Sequence, residues 1–245
     1  MSNVLAVVGG SGFDIHACGD YVGERVTATP YGQTSAPLQL YRNGDQIVVF
    51  LPRHGIPHSI PPHRISYRAN LWALRDYGCT RIVAINTVGG IGAAAEVGAL
   101  LLPDQIIDYT YGREHTFSDS ADVPLVHVDF TEPYSAALRG SLLIAASKAG
   151  VALHDGGVYG ATQGPRLESA AEIQRMQRDG CELVGMTGMP EAALARELNL
   201  EYAALCLVVN LAAGRGGAIT VEAMRKVSAQ GMSAIANIIG EWVRE

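Results

Sequence analysis

Charge is scarce in this chain. Only 17% of its 245 residues are Asp, Glu, Lys or Arg, and the formal net charge is −6. A non-specific nucleic-acid binder carries a basic face, so this balance argues against nucleic acid as a partner. Long apolar runs are missing too. Nothing reaches the ~18 consecutive apolar residues that read as a membrane span. The start, Met1 to Val8, has neither the basic opening nor the length of a signal peptide. Cysteine is sparse: Cys18, Cys79, Cys181 and Cys206 show no C-x-x-C spacing. Buried free thiols fit that scatter better than zinc ligands or disulfides. Repeats, low-complexity tracts and linkers are absent. These absences leave a soluble cytoplasmic enzyme or ligand-binding protein. The 48% hydrophobic content suits one α/β domain over residues 1–245 with a substantial core. So much apolar surface with so little charge also points to subunit contacts.

What is present is a set of buried strands that end in glycine loops. Val4-Leu-Ala-Val-Val8 runs into Gly9-Gly-Ser-Gly12. Backbone N–H groups of such a loop can approach a phosphate, and Ser11 adds a hydroxyl. A tight turn explains the same residues, and the dinucleotide pattern is incomplete because no convincing helix with a third glycine follows. Residues 24–28, 38–42 and 46–51 are β-like, with a turn at Thr29-Pro-Tyr-Gly32. The last of these strands enters Pro52-Arg-His-Gly55. Arg53 offers a planar fork of donors to an oxyanion, and His54 a second donor. Strand Arg81–Thr87 ends beside Gly89-Gly90, which places Thr87 at a third strand end. Were these strands neighbours, Ser11, Arg53, His54 and Thr87 would converge on one anion of phosphate size.

The longest uninterrupted run is Ala203-Ala-Leu-Cys-Leu-Val-Val-Asn210, followed by Leu211, Ala212 and a glycine-rich loop. It reads as a strand buried on both faces. Ligands bind at the carboxyl ends of such strands in open α/β sheets. Taken alone, Asn210 is best explained as an Asx-turn cap. Helices are expected at 66–77, ended by Gly78, and at 133–149, 168–176, 192–198 and 221–242. Glu168 falls in a first helical turn, where a carboxylate is favourable on dipole grounds alone. The irregular stretch from Tyr109 to Val128, holding His115 and His127, has the length of a lid or interface loop.

Six segments occur together and in order: Gly9-Gly-Ser-Gly12, Thr29-Pro-Tyr-Gly32, Pro52-Arg-His-Gly55, Ser66-Tyr-Arg-Ala-Asn70, Gly164-Pro-Arg166 and Gly185-Met-Thr-Gly-Met-Pro-Glu191. In this the chain resembles the trimeric purine nucleoside phosphorylases and methylthioadenosine phosphorylases. The resemblance spans nearly the whole chain. It implies an α/β fold with a central mixed β-sheet flanked by helices, a homotrimer, and no metal or organic cofactor. The implied reaction cleaves a purine nucleoside with inorganic phosphate as co-substrate. Carried over by position, Ser11, Arg53, His54, Thr87, Thr187 and the backbone at Val88 resemble the phosphate set. Met186 matches the residue under the ribose, and His127 a histidine lent across the subunit interface. Asn210 and His54 take the catalytic positions, with Leu211 and Ala212 beside the base.

The resemblance also bears on the base and the sugar. Phosphorylases for 6-aminopurines carry Asp at the position of Asn210 and again at Ala212. Asn210 can instead donate to a 6-oxo group and accept a proton held at N7. Glu168 falls where 6-oxopurine enzymes place an acceptor for N1–H. At the sugar 5′ side, Val221 and Met224 replace a histidine, which suits a methylthio group, although both could simply be core. Together these imply S-methyl-5′-thioinosine as substrate. A general 6-oxopurine nucleoside phosphorylase is the alternative, then a methylthioadenosine phosphorylase, then a non-catalytic nucleoside-binding domain.

Overall fold

The apolar runs of the sequence become the inner strands of one large sheet. The computed structural model describes residues 4–10, 12–13 and 15–244. In chain order the strands are β1 (Val4–Gly9), β2 (Asp20–Arg25), β3 (Ala28–Thr29), β4 (Gly32–Gln33), β5 (Leu38–Asn43), β6 (Gln46–Pro52) and β7 (Cys79–Gly90). Then come β8 (Leu100–Leu102), β9 (Gln105–Asp108), β10 (His154–Asp155), β11 (Val158–Ala161), β12 (Cys181–Gly185) and β13 (Glu201–Leu211). The helices are α1 (Tyr67–Tyr77), α2 (Ala136–Lys148), α3 (Ala170–Arg178), α4 (Gly188–Glu197) and α5 (Val221–Trp242). β3 and β4 pair as a small hairpin. The other strands form a mixed sheet ordered β10-β8-β13-β7-β1-β6-β5-β2, from which β12, β11 and β9 branch.

β1 lies parallel between β6 and β7, and β13 lies parallel to β7 on its other side. Strands buried on both faces need apolar residues at every position, which explains the unbroken runs. Alternate residues of β13 divide between two cores. Tyr202, Ala204, Cys206 and Val208 face the one covered by α1 and α4. Ala203, Leu205, Leu207 and Val209 face the one covered by α2 and α5. A third, smaller cluster around Ile91, Ile173 and Val184 lies under the branch.

Local signals set the helix ends. Gly78 closes α1 in the left-handed region, at φ 103°, and donates to the Arg75 and Leu74 carbonyls. Ser169 caps α3 in a full capping box with Glu172. That cap corrects the expected start at Glu168: the helix begins at Ala170, because Ser169 is the better cap. Glu168 lies before the helix and gains nothing from a place in its first turn. α5 has the expected bounds, with Thr220 accepting from the Ala223 N–H. Cys79, Cys181 and Cys206 are buried free thiols; the side chain of Cys18 lies outside the described part. Among the described residues no helix is long and apolar enough to cross a membrane.

Candidate active site

The strand order sets the ends of β6, β1, β7 and β13 side by side. Beyond them the end of β7 also pairs antiparallel with β12, Val184 opposite Gly89 and Leu183 opposite Gly90. Gly90 must be glycine here, since a Cβ would lie 1.9 Å from the Ala95 carbonyl oxygen. A cavity of about 450 Å³ opens over these strand ends, within the ~300–1,000 Å³ usual for small-molecule sites. Arg53, His54, Thr87, Val88, Thr187 and Gly10 line one part of it. Glu168, Asn210, Met186 and Met224 line the rest. Ser11 lies outside the described residues.

Arg53 is not the open fork expected from sequence. It is 1% exposed and makes a bidentate pair with Glu191, at 2.7 Å from Nε and 2.8 Å from Nη2. Nη1 donates to the Ile85 carbonyl at 3.2 Å, and Nη2 to that of Val8 at 3.4 Å. One N–H of Nη1 is left over. Burial alone disfavours the guanidinium charge, but Glu191 outweighs it and raises the Arg53 pKa. Glu191 is wholly buried and also accepts from the Tyr202 hydroxyl at 2.9 Å. The pair is close to neutral, so its pull on an anion comes from a directed N–H more than from net charge.

His54 also differs from a simple donor. Its Nδ1 lies 2.8 Å from the Ile60 carbonyl oxygen. A carbonyl only accepts, so Nδ1 carries the proton. Burial pushes the His54 pKa down to about 4, opposed by that bond and helped by Arg53 and by His58. His58 stacks on it with ring centres 4.3 Å apart, and its own pKa is lowered by burial. At neutral pH the Nε2 of His54 therefore holds a lone pair. It can accept from a protonated phosphate oxygen or a sugar hydroxyl, but it cannot donate to either.

The chain supplies other donors. Thr187 Oγ1 donates to Asn86 Oδ1 at 3.1 Å. Asn86 is 3% exposed and lines the cavity, but its Nδ2 is sealed from it and lies against the Cys206 thiol, its cross-strand neighbour. Thr87, on the same strand end, is the exposed hydroxyl there.

At the other end, β13 bulges. Val208 pairs with Val88 but Asn210 pairs with Gly89, so two residues of β13 face one of β7. A regular strand would send Val209 and Asn210 to opposite faces; the bulge lets both line the cavity. Asn210 Nδ2 donates to the Leu211 carbonyl at 2.8 Å, which leaves one N–H and Oδ1 free. Glu168 accepts from Thr162 Oγ1 at 2.7 Å.

Four expected substrate contacts do not line this cavity. Leu211 and Val221 are 37% and 59% exposed, so Val221 is not core either. Ala212 is buried, but against Ile91 and Val184. His127 is exposed on the long loop, so this chain does not bring it to its own cavity.

Two residues that shape the site are not legible as site residues in the sequence. Glu191 stands within the Gly185–Glu191 motif, but its partner Arg53 lies 138 residues away. Arg113, on the long loop, donates to the Thr162 and Gln163 carbonyls at 3.1 and 2.8 Å and to those of Met186 and Met189 at 2.9 and 2.5 Å. It ties the Glu168 segment to the Met186–Thr187 segment. An arginine in a polar loop gives no sequence signal of such a role.

Known proteins are similar to this chain in sequence and fold. The Phosphorylase superfamily matches residues 4–244. A probable S-methyl-5′-thioinosine phosphorylase of Xanthomonas campestris pv. campestris is 52% identical over 99% of this chain and 98% of its own. A 6-oxopurine nucleoside phosphorylase of Pyrococcus furiosus is 44% identical over 91% of this chain and 87% of its own. Methylthioadenosine phosphorylase from Schistosoma mansoni, solved with adenine, superposes with a TM-score of 0.94 at 31% identity, covering 99% of this chain and 91% of that one. The match over residues 4–244, with relatives 52% and 44% identical over 99% and 91% of the chain, places this chain in the phosphorylase superfamily.

Proposed function

We propose that residues 1–245 act as one domain that cleaves S-methyl-5′-thioinosine with phosphate, giving hypoxanthine and 5-methylthioribose 1-phosphate. The observation that carries the reading is one cavity with Arg53, Thr87 and Thr187 at one part and Asn210 and Glu168 at another. Relatives named for methylthioinosine and for 6-oxopurine nucleosides support purine nucleoside phosphorolysis. As in the resembling family, the active form would be a cytoplasmic homotrimer needing no metal or organic cofactor, with His127 serving a neighbouring subunit.

In the reaction a phosphate oxygen bonds to C1′ as the C1′–N9 bond breaks. The bonding pair passes into the purine, and the sugar passes through positive charge. The Thr87 hydroxyl and the spare Arg53 N–H hold phosphate beneath the sugar, and the Thr187 hydroxyl can turn toward it. His54 Nε2 accepts from a protonated phosphate oxygen, which leaves the others free to attack. Fixed donors of this kind catalyse by position and by matching the charge that develops. On the base, the free N–H of Asn210 donates to the 6-oxo group; N7 takes a proton from solvent water as the bonding pair arrives, and Oδ1 accepts from the N7–H so formed. Glu168 accepts from N1–H. Adenine has no N1–H and offers a 6-amino donor, so both contacts would be lost. Met224 and Met186 make an apolar wall that favours a methylthio group over a hydroxyl. A general 6-oxopurine enzyme is the second reading, favoured by His58 on the cavity wall, a polar partner for a 5′-hydroxyl. The test is kcat/KM for methylthioinosine, methylthioadenosine, inosine and guanosine side by side. Methylthioinosine should lead; a lead for inosine selects the second reading, and a lead for methylthioadenosine overturns the roles given to Asn210 and Glu168.

A further inference from the structure

Glu168 stands between two cavities. It lines the 450 Å³ cavity of the site and also a second, of about 350 Å³, walled by Tyr109, Tyr111, Thr162, Gln163, Arg166 and Glu172 among others. A glutamate with space on both sides has rotamers available on each, so something must choose between them. The nearby cation does not: Arg166 is committed to Glu172 through bonds of 2.9 and 2.8 Å.

Thr162 is the hydrogen-bond partner that Glu168 has. Its hydroxyl lies 2.7 Å from Glu168 Oε1 and 3.3 Å from the Gly185 carbonyl oxygen. A hydroxyl has one proton, and the shorter contact to a carboxylate is the stronger. The hydroxyl is itself well fixed. The Thr162 N–H donates to the Gly185 carbonyl at 2.8 Å, extending the β11–β12 ladder by one residue. Its own carbonyl is held by Arg113 at 3.1 Å. A β-branched side chain on so constrained a backbone has little χ1 freedom.

We infer that Thr162 is a positioning residue for base specificity: its hydroxyl tethers one oxygen of Glu168 and so keeps the other available to the base. This rests on the reading of Glu168 as acceptor for the purine N1–H. Without the tether, Glu168 swings into the second cavity and the 6-oxopurine loses its partner.

Thr162→Val tests this with little change of shape, since the backbone bond to Gly185 survives. A hydrogen bond to a charged group supports an effect of about 10- to 100-fold. The expected result is a fall of that size in kcat/KM for methylthioinosine, with methylthioadenosine turnover and the phosphate KM unchanged. Thr162→Ser, which keeps the hydroxyl, restores the wild-type preference. Equal losses on both nucleosides with a raised phosphate KM would make Thr162 merely structural and overturn the inference. So would an unchanged preference in Thr162→Val alongside a collapsed one in Glu168→Ala. If Glu168→Ala also leaves the preference unchanged, the reading of Glu168 itself falls, and the tether with it.

Discussion

Replacing Glu191 by Gln keeps the shape of the site and removes one charge. Glu191 is fully buried and takes two bonds from Arg53 and one from Tyr202. In the variant the Arg53 guanidinium keeps its charge but loses its counter-ion, inside a protein where water cannot replace it. Removing one member of a buried pair costs about 3–5 kcal/mol. For a chain of this length each kcal/mol lowers Tm by about 2–4 °C, so a drop of about 6–20 °C is expected. Phosphate should return part of it, because an anion over the spare Arg53 N–H restores the missing charge. Saturation at one hundred times Kd contributes about 2.7 kcal/mol, and the gain should be larger in the variant than in the wild type. The assay is urea unfolding and thermal melting with and without phosphate. A variant within about 1 kcal/mol of wild type, with the same response to phosphate, would refute the assigned balance between Arg53 and Glu191. Should Glu191→Gln fail to fold, Tyr202→Phe removes a single bond to the same carboxylate and should cost about 1.5–3 kcal/mol, the range for a bond to a charged group.

Asn210→Asp should shift preference toward the 6-amino nucleoside, read as the ratio of kcat/KM values, and more so with Glu168→Ser. Adding Ala212→Asp should instead lower stability by a few kcal/mol, because Ala212 packs against Ile91 and Val184, and a lone buried charge there has no partner. His54 predicts a pH dependence of folding. Its pKa is about 4 in the folded protein against 6.5 for an ordinary histidine, so the unfolded chain binds the proton more readily. Its contribution to stability is complete above pH 6.5 and is lost as pH falls toward 4. Urea unfolding across that window should show a shallower slope in His54→Asn; an equal slope would deny the buried neutral imidazole.

The inner strands, the ends of α1 and α5 and the order of the motifs are legible because they are set locally, whereas α2 starts at Ala136 rather than 133 and α4 at Gly188 rather than 192. An apolar run bounded by glycine reads as a buried strand whatever it packs against, and Gly78 and Thr220 end and begin their helices by backbone and capping chemistry within a turn. Glu168 shows the limit even of local reading: dipole grounds favour it in a first turn, but the adjacent Ser169 is the stronger cap and starts the helix one residue later. The resemblance drew attention to Asn210, but the strand alone offered only a turn cap. The bulge that turns Asn210 into the cavity arises from pairing with β7, which no single strand specifies.

The sequence by itself determined the fold class, the family, and which strand ends meet the solvent as polar residues. Tertiary structure decided what those residues can do. It bound Arg53 to Glu191, 138 residues away, so the expected open fork became a nearly neutral pair. It put a carbonyl against one nitrogen of His54, so the expected donor became an acceptor. It kept Val221 and Ala212 off the cavity wall. The physical reason is the same in each case. A side chain's type sets which bonds it can make, but the partners that use up those bonds come from distant parts of the chain, and only folding brings them within reach.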